Sequence, residues 1–113
     1  TIARALAQQA GILVMDEPTA NLDYGNQYRV LRQVHDLSRQ GYLILFSSHN
    51  PEHAFLFADE ALVLEDGLIT LAGVPAEILT QQTLEELYEI PILLSDMNCE
   101  GRSVRVCMPR SLS

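Results

Sequence analysis

The sequence has 113 residues and a formal net charge of −8, enough chain for one domain with a modest core. Its seven basic residues are all arginines, spread from Arg4 to Arg110 without clustering. Nothing resembles the positive face that phosphate backbones require, which disfavours a nucleic-acid partner. No apolar run approaches the roughly 20 residues that cross a bilayer and no basic-then-apolar leader opens the chain, so no direct membrane span is expected.

In chain order, Ile2, Ala3, Leu6 and Ala7 fall on one helical face, with Gly11 as a stop. A helix already under way at Thr1 leads to the expectation that the chain begins inside a longer element. Ile12 to Met15 is apolar on both faces, which predicts a parallel strand buried between two layers. Tyr24 to Gln40 carries a helical stripe of Val30, Leu31, Val34 and Leu37, terminated by Gly41. Tyr42 to Phe46 is a second apolar strand, so this span reads as a βαβ unit with parallel strands.

Asn50-Pro51-Glu52 combines an N-cap, a proline at the first helical position and an acid in the first turn, predicting a helix to Ala58. Ala61 to Leu64 and Leu68 to Leu71 flank Asp66-Gly67, a strong hairpin signal. Short helices are expected over Ala76 to Leu79 and Thr83 to Tyr88, the second opened by a Thr83/Glu86 capping box. Weak alternation at Ile92 to Leu94 and Val104 to Val106 suggests a small terminal hairpin. Cys99 and Cys107 lack a CxxC spacing, which argues against a metal knuckle and favours inert cytosolic thiols, with a disulfide left open.

The chemistry concentrates where the strands end. Parallel strands direct their carboxyl ends to one edge, so Asp16 and Glu17 share a rim with Ser47, Ser48, His49 and Asn50. A carboxylate there can hold Mg²⁺ through water, and its neighbour can orient and deprotonate an attacking water. Pro18 fixes the turn and denies Glu17 a helical conformation. Taken alone, Asp-Glu-Pro also suits a solvated strand exit, and a lone His49 also suits a structural role. His49 and His53 have zinc-like i, i+4 spacing, but HNPEH lacks the glutamate directly after the first histidine, which argues against that site.

ILVMDEPTANLD resembles the Walker B motif, catalytic glutamate and D-loop of an ATP-binding cassette (ABC) ATPase, and FSSHNPEHA resembles its switch-histidine loop. LEDGLITLAGVPAEIL resembles the hairpin and turn that follow in these proteins. LDYGNQYRVL and TLEELYEIPI are closer still to ATPase subunits of bacterial and archaeal importers for iron-siderophore, haem, cobalamin and related metal chelates. The resemblance implies an α/β, partial P-loop NTPase fold, with residues 1–91 the C-terminal part of the ATPase domain and residues 92–113 a tail or small β extension.

It further implies Asp16 as the Mg²⁺-side carboxylate, Glu17 as general base and His49 as the γ-phosphate contact. Ala20 to Asp23, with Asn21 and Asp23 on the cofactor side, is implied as the loop that communicates across an ATPase dimer. ATP and Mg²⁺ are the implied cofactors. Membrane-spanning permease subunits and a second ATPase copy are the implied partners, at the cytoplasmic face of the membrane.

The family's GxxxxGK[ST] phosphate loop, glutamine loop and LSGGQ-type signature do not occur here, and the sequence contains no lysine. The expectation is a C-terminal fragment that by itself binds ATP negligibly and, with an unpaired edge on Tyr42 to Phe46, self-associates or is poorly ordered. Two other readings stay open: a non-transport ABC ATPase, and a non-catalytic interaction module that keeps the ATPase remnant as scaffold.

Overall fold

The computed structural model describes residues 11–110, and the helix expected over Thr1 to Ala10 lies outside the described residues. The chain divides into two compact units, the first ending at His49 and the second beginning at Asn50. Among the described residues, no helix is long and apolar enough to cross a membrane.

In the first unit, β1 (Ile12–Met15) and β2 (Leu43–Phe46) pair in parallel, with Ile12 opposite Leu43 and Met15 opposite Phe46. The connection is α1 (Tyr24–Arg39), which lies against β2. The expected βαβ unit is therefore present. Asp23 starts α1 by accepting the Asn26 amide at 2.8 Å, satisfying one of the donors that every helix start leaves unpaired. The helix closes where the amides of Gln40 and Gly41 return to the carbonyls of Leu37 and Ser38.

Burial departs from expectation. Leu13, Leu31 and Val34 are buried, but Ile12 and Val14 are 61% and 71% exposed, and Leu43 and Leu45 are exposed beside them. Side chains alternate across a strand, so α1 covers one face, and the register places these four residues in one uncovered stripe. Among the described residues β1 is thus buried on one face, where burial on both was expected.

The second unit opens with α2 (Pro51–Phe57), capped as expected by Asn50, whose side chain accepts the Glu52 amide at 2.9 Å. β3 (Ala61–Glu65) and β4 (Leu68–Gly73) form the expected antiparallel hairpin. Asp66 and Gly67 both take positive φ, 52° and 78°, as a two-residue turn matched to strand twist requires. Thr70 is the extra residue of a bulge, because Val63 faces Leu71 while Leu64 faces Ile69.

Next come α3 (Pro75–Ile78) and α4 (Gln81–Tyr88). The capping expectation is corrected here: Thr80, not Thr83, caps α4, its hydroxyl accepting the Thr83 amide at 3.1 Å. Thr80 is the last residue with extended backbone, φ −78° and ψ 168°, so Thr83 already lies inside the helix. Glu86 instead accepts a hydrogen bond from Gln82, one turn earlier.

The terminal hairpin is far longer than its weak alternation suggested: β5 (Ile92–Cys99) pairs antiparallel with β6 (Arg102–Pro109) around Glu100-Gly101. Cys99 sits opposite Arg102 and Cys107 opposite Leu94, five residues apart along the ladder and so roughly 17 Å, far beyond disulfide reach. Both thiols are free. Burial, followed by the nearby Glu52 charge, pushes the Cys107 thiol up and keeps it protonated.

Val63, Leu79, Leu84 and Ile92 form the core of this unit, with Phe55, Leu87 and Leu94 packed around it. Glu85 ties α4 to the hairpin by accepting the Ile92 amide at 2.9 Å. Gly73 has φ +155°, and a Cβ there would meet Ile78 Cγ2 at 2.9 Å. Gly73→Ala is expected to destabilise this unit by about 1–3 kcal/mol, read as a lower denaturant midpoint.

His53 is buried in α2. Burial lowers its pKa from the usual value of about 6.5, with the Glu52 charge opposing more weakly. The folded state thus binds fewer protons than the unfolded one as pH falls through about 6.5, so stability drops below that pH and levels off under the folded pKa. Urea midpoints at pH 7.5 and 5.5 should differ less in His53→Gln than in the parent.

Candidate functional site

The end of β1 runs directly into the acidic pair. Glu17 takes a left-handed backbone, φ 44°, with Pro18 next to it, and its carbonyl accepts the Ala20 amide at 3.0 Å. Proline disfavours the right-handed helical region for the residue before it, so the chain turns at Glu17 instead of continuing as a helix. Thr19 is buried under this turn, and its carbonyl accepts the Leu22 amide at 3.2 Å. Leu22 in turn accepts from the Gln27 side chain at 2.9 Å, anchoring the loop to α1.

The end of β2 supplies the other half. The Ser47 amide donates to the Met15 carbonyl at 3.1 Å, extending the ladder one residue past the strands. The Ser47 hydroxyl donates to Asp16 Oδ1 at 2.7 Å and accepts the Glu17 amide at 2.8 Å. Beyond it, His49 Nε2 meets Glu17 Oε1, a contact that needs a proton on that nitrogen. Asp16, Glu17 and His49 therefore share one rim, as the parallel register predicted.

This contact lies in the open. The His49 side chain is 91% exposed, where an ion pair contributes roughly 0–1 kcal/mol and is easily exchanged for another partner. Glu17 can accept a proton, and His49 can offer a hydrogen bond to an incoming oxygen. Asp16 is exposed and uses Oδ1 for Ser47, leaving Oδ2 as the kind of hard oxygen donor that suits a hydrated Mg²⁺ ion.

Asn21 and Asp23 are placed differently. Asn21 lies in the loop with φ 65°. Asp23 directs both carboxylate oxygens into α1, toward the amide and side chain of Asn26. Its capping role was not read from the sequence, although an aspartate directly before an amphipathic stripe is the ordinary signal. Ser47 was placed on the rim without a role, because its two contacts span 30 and 31 residues and depend on the strand register.

Of the i, i+4 histidines, His49 is exposed and His53 is 2% exposed. Among the described residues, no group of three or more His, Cys, Asp or Glu side chains could hold a metal ion. A groove of about 420 Å³ lies wholly in the second unit, lined by residues including Phe55, Pro75 and Arg105. Arg105 is already engaged there with Asp96 and the Ala76 carbonyl.

The parallel βαβ unit, with an acid pair and an imidazole at its carboxyl edge, belongs to a P-loop NTPase fold that is in part that of an ABC ATPase domain. The chain is homologous to part of ABC transporter ATP-binding subunits. It is 41% identical over 87 residues to an uncharacterised ABC transporter ATP-binding protein of Haemophilus influenzae, an alignment covering 77% of this chain and 33% of that protein. It is 38% identical over 100 residues to the hemin import ATP-binding protein HmuV of Nocardia farcinica, covering 88% of this chain and 35% of the relative.

Among solved structures, a metal-chelate type ABC transporter in an inward-facing conformation superposes with a TM-score of 0.88 at 29% identity, covering 97% of this chain and 44% of that one. No family model matches the sequence. The chain spans about a third of the length of the two curated relatives.

Proposed function

We propose that this chain is part of an ATP-binding subunit that couples MgATP hydrolysis to import of a metal chelate such as haem, a ferric siderophore or cobalamin. The observation that carries the reading is the convergence of Asp16, Glu17 and His49 on the rim beyond β1 and β2. Similarity to a hemin import subunit and to a metal-chelate type transporter supports the substrate class.

In this reading Glu17 is the general base, taking a proton from the water that attacks the terminal phosphate. His49 exchanges its Glu17 contact for a γ-phosphate oxygen. Asp16 would hold Mg²⁺, which would supply charge neutralisation at the phosphates. Asn21 and Asp23 lie in the loop facing a second ATPase copy. Residues 1–91 carry the ATPase portion and residues 92–113 the terminal β extension. Membrane-spanning permease subunits are the partners, with the ATPase peripheral on the cytoplasmic face.

No lysine and no GxxxxGK[ST] loop occur in these 113 residues, so by themselves they bind ATP negligibly. The test is purification of the full-length protein from membranes. MgATP hydrolysis together with copurification of a multi-span permease is the expected result. Hydrolysis without any membrane partner would assign a non-transport ABC ATPase instead, and absence of hydrolysis would defeat the reading.

A further inference from the structure

We infer that Ser47 is a positioning residue that clasps the acid pair and sets the direction of the Glu17 carboxylate, an inference that rests on the hydrolytic reading above. Three consecutive residues of the β1 end meet this one serine. Its amide donates to the Met15 carbonyl at 3.1 Å, its hydroxyl donates to Asp16 Oδ1 at 2.7 Å, and the same oxygen accepts the Glu17 amide at 2.8 Å. A hydroxyl has one proton and two lone pairs. The Glu17 amide occupies a lone pair, and the proton goes to Asp16, so the two bonds form one directed chain.

That chain acts where the backbone needs it. Glu17 sits at φ 44°, a region that non-glycine residues enter only when their surroundings hold them there. The Ser47 oxygen satisfies the amide that this turn points at β2. Glu17 then presents its carboxylate to His49 while Asp16 keeps Oδ2 open. Ser47 is itself exposed, so it does not serve by filling the core. Its removal leaves no cavity, and its role is read in geometry instead of packing.

The two variants to compare in the full-length protein are Ser47→Ala, which removes the hydroxyl, and Ser47→Thr, which keeps it. Loss of the hydroxyl's bonds to the charged Asp16 carboxylate and to the Glu17 amide is expected to lower kcat about 10-fold or more with KM for ATP changed less than about twofold, and Thr should restore most of the rate. Independently of hydrolysis, solvent exchange of the Glu17 amide, read by NMR, should accelerate about 10-fold or more in Ser47→Ala and not in Ser47→Thr.

Glu17→Gln is the accompanying control. A parent protein that does not hydrolyse ATP, or a Glu17→Gln variant as fast as the parent, overturns the hydrolytic reading, while the amide exchange still judges the clasp. An active parent with Ser47→Ala kcat within twofold, an effect on KM alone, no rescue by Thr, or unchanged Glu17 exchange overturns the role of Ser47.

Discussion

Glu17→Gln in the full-length protein is expected to lower MgATP turnover by about 10²–10⁴, the range for losing a general base. Glutamine retains the size of the side chain and an oxygen that can still accept from His49, so the rim should keep its shape. It cannot take up a proton from an attacking water. Binding is therefore expected to persist while hydrolysis stalls, and ATP should remain intact on the protein. Single-turnover hydrolysis with a parallel nucleotide-retention assay checks both halves, and unchanged turnover would remove Glu17 from the chemistry.

Leu84→Ala is expected to cost about 2–5 kcal/mol, the largest stability loss among the substitutions considered. Leu84 on α4 is fully buried and packs with Val63, Leu79 and Ile92, joining α4 to the β3–β4 hairpin and to the start of β5. Alanine would leave a cavity at the meeting point of three elements. Small domains carry a net stability of only about 5–15 kcal/mol, so this loss is a large part of the total. Urea unfolding monitored by circular dichroism should show a clearly lower midpoint. A shift equivalent to less than about 1 kcal/mol would mean that the site collapses around the smaller side chain.

Most of the architecture was legible because its signals act over a few residues. The run Ile12 to Met15 ending in Asp-Glu-Pro, the stripe from Val30 to Leu37, Asn50 before Pro51, and Asp66-Gly67 each specify local backbone, and each element appeared where these residues placed it. The resemblance to ABC ATPases added roles that no local pattern contains. Errors arose where local signals competed or were weak. Thr80 and Thr83 both precede acceptable helix sequence, and only the backbone at Thr80 decides between them. β5 and β6 carry Ser95, Asp96, Asn98 and Ser103 among their apolar residues, so their alternation is faint; the ladder around Glu100-Gly101 extends them regardless.

By itself, then, the sequence determined the parallel βαβ unit, the two acids and the imidazole available at its edge, and the want of a lysine-bearing phosphate loop in these residues. Tertiary structure alone decided which face of β1 is covered, that Asp23 turns into α1, and that Ser47 joins Asp16 to Glu17. The division has a physical cause: periodicity, caps and turns are paid for within a few residues of chain, whereas a hydroxyl reaching across 30 residues exists only after two strands have chosen one register.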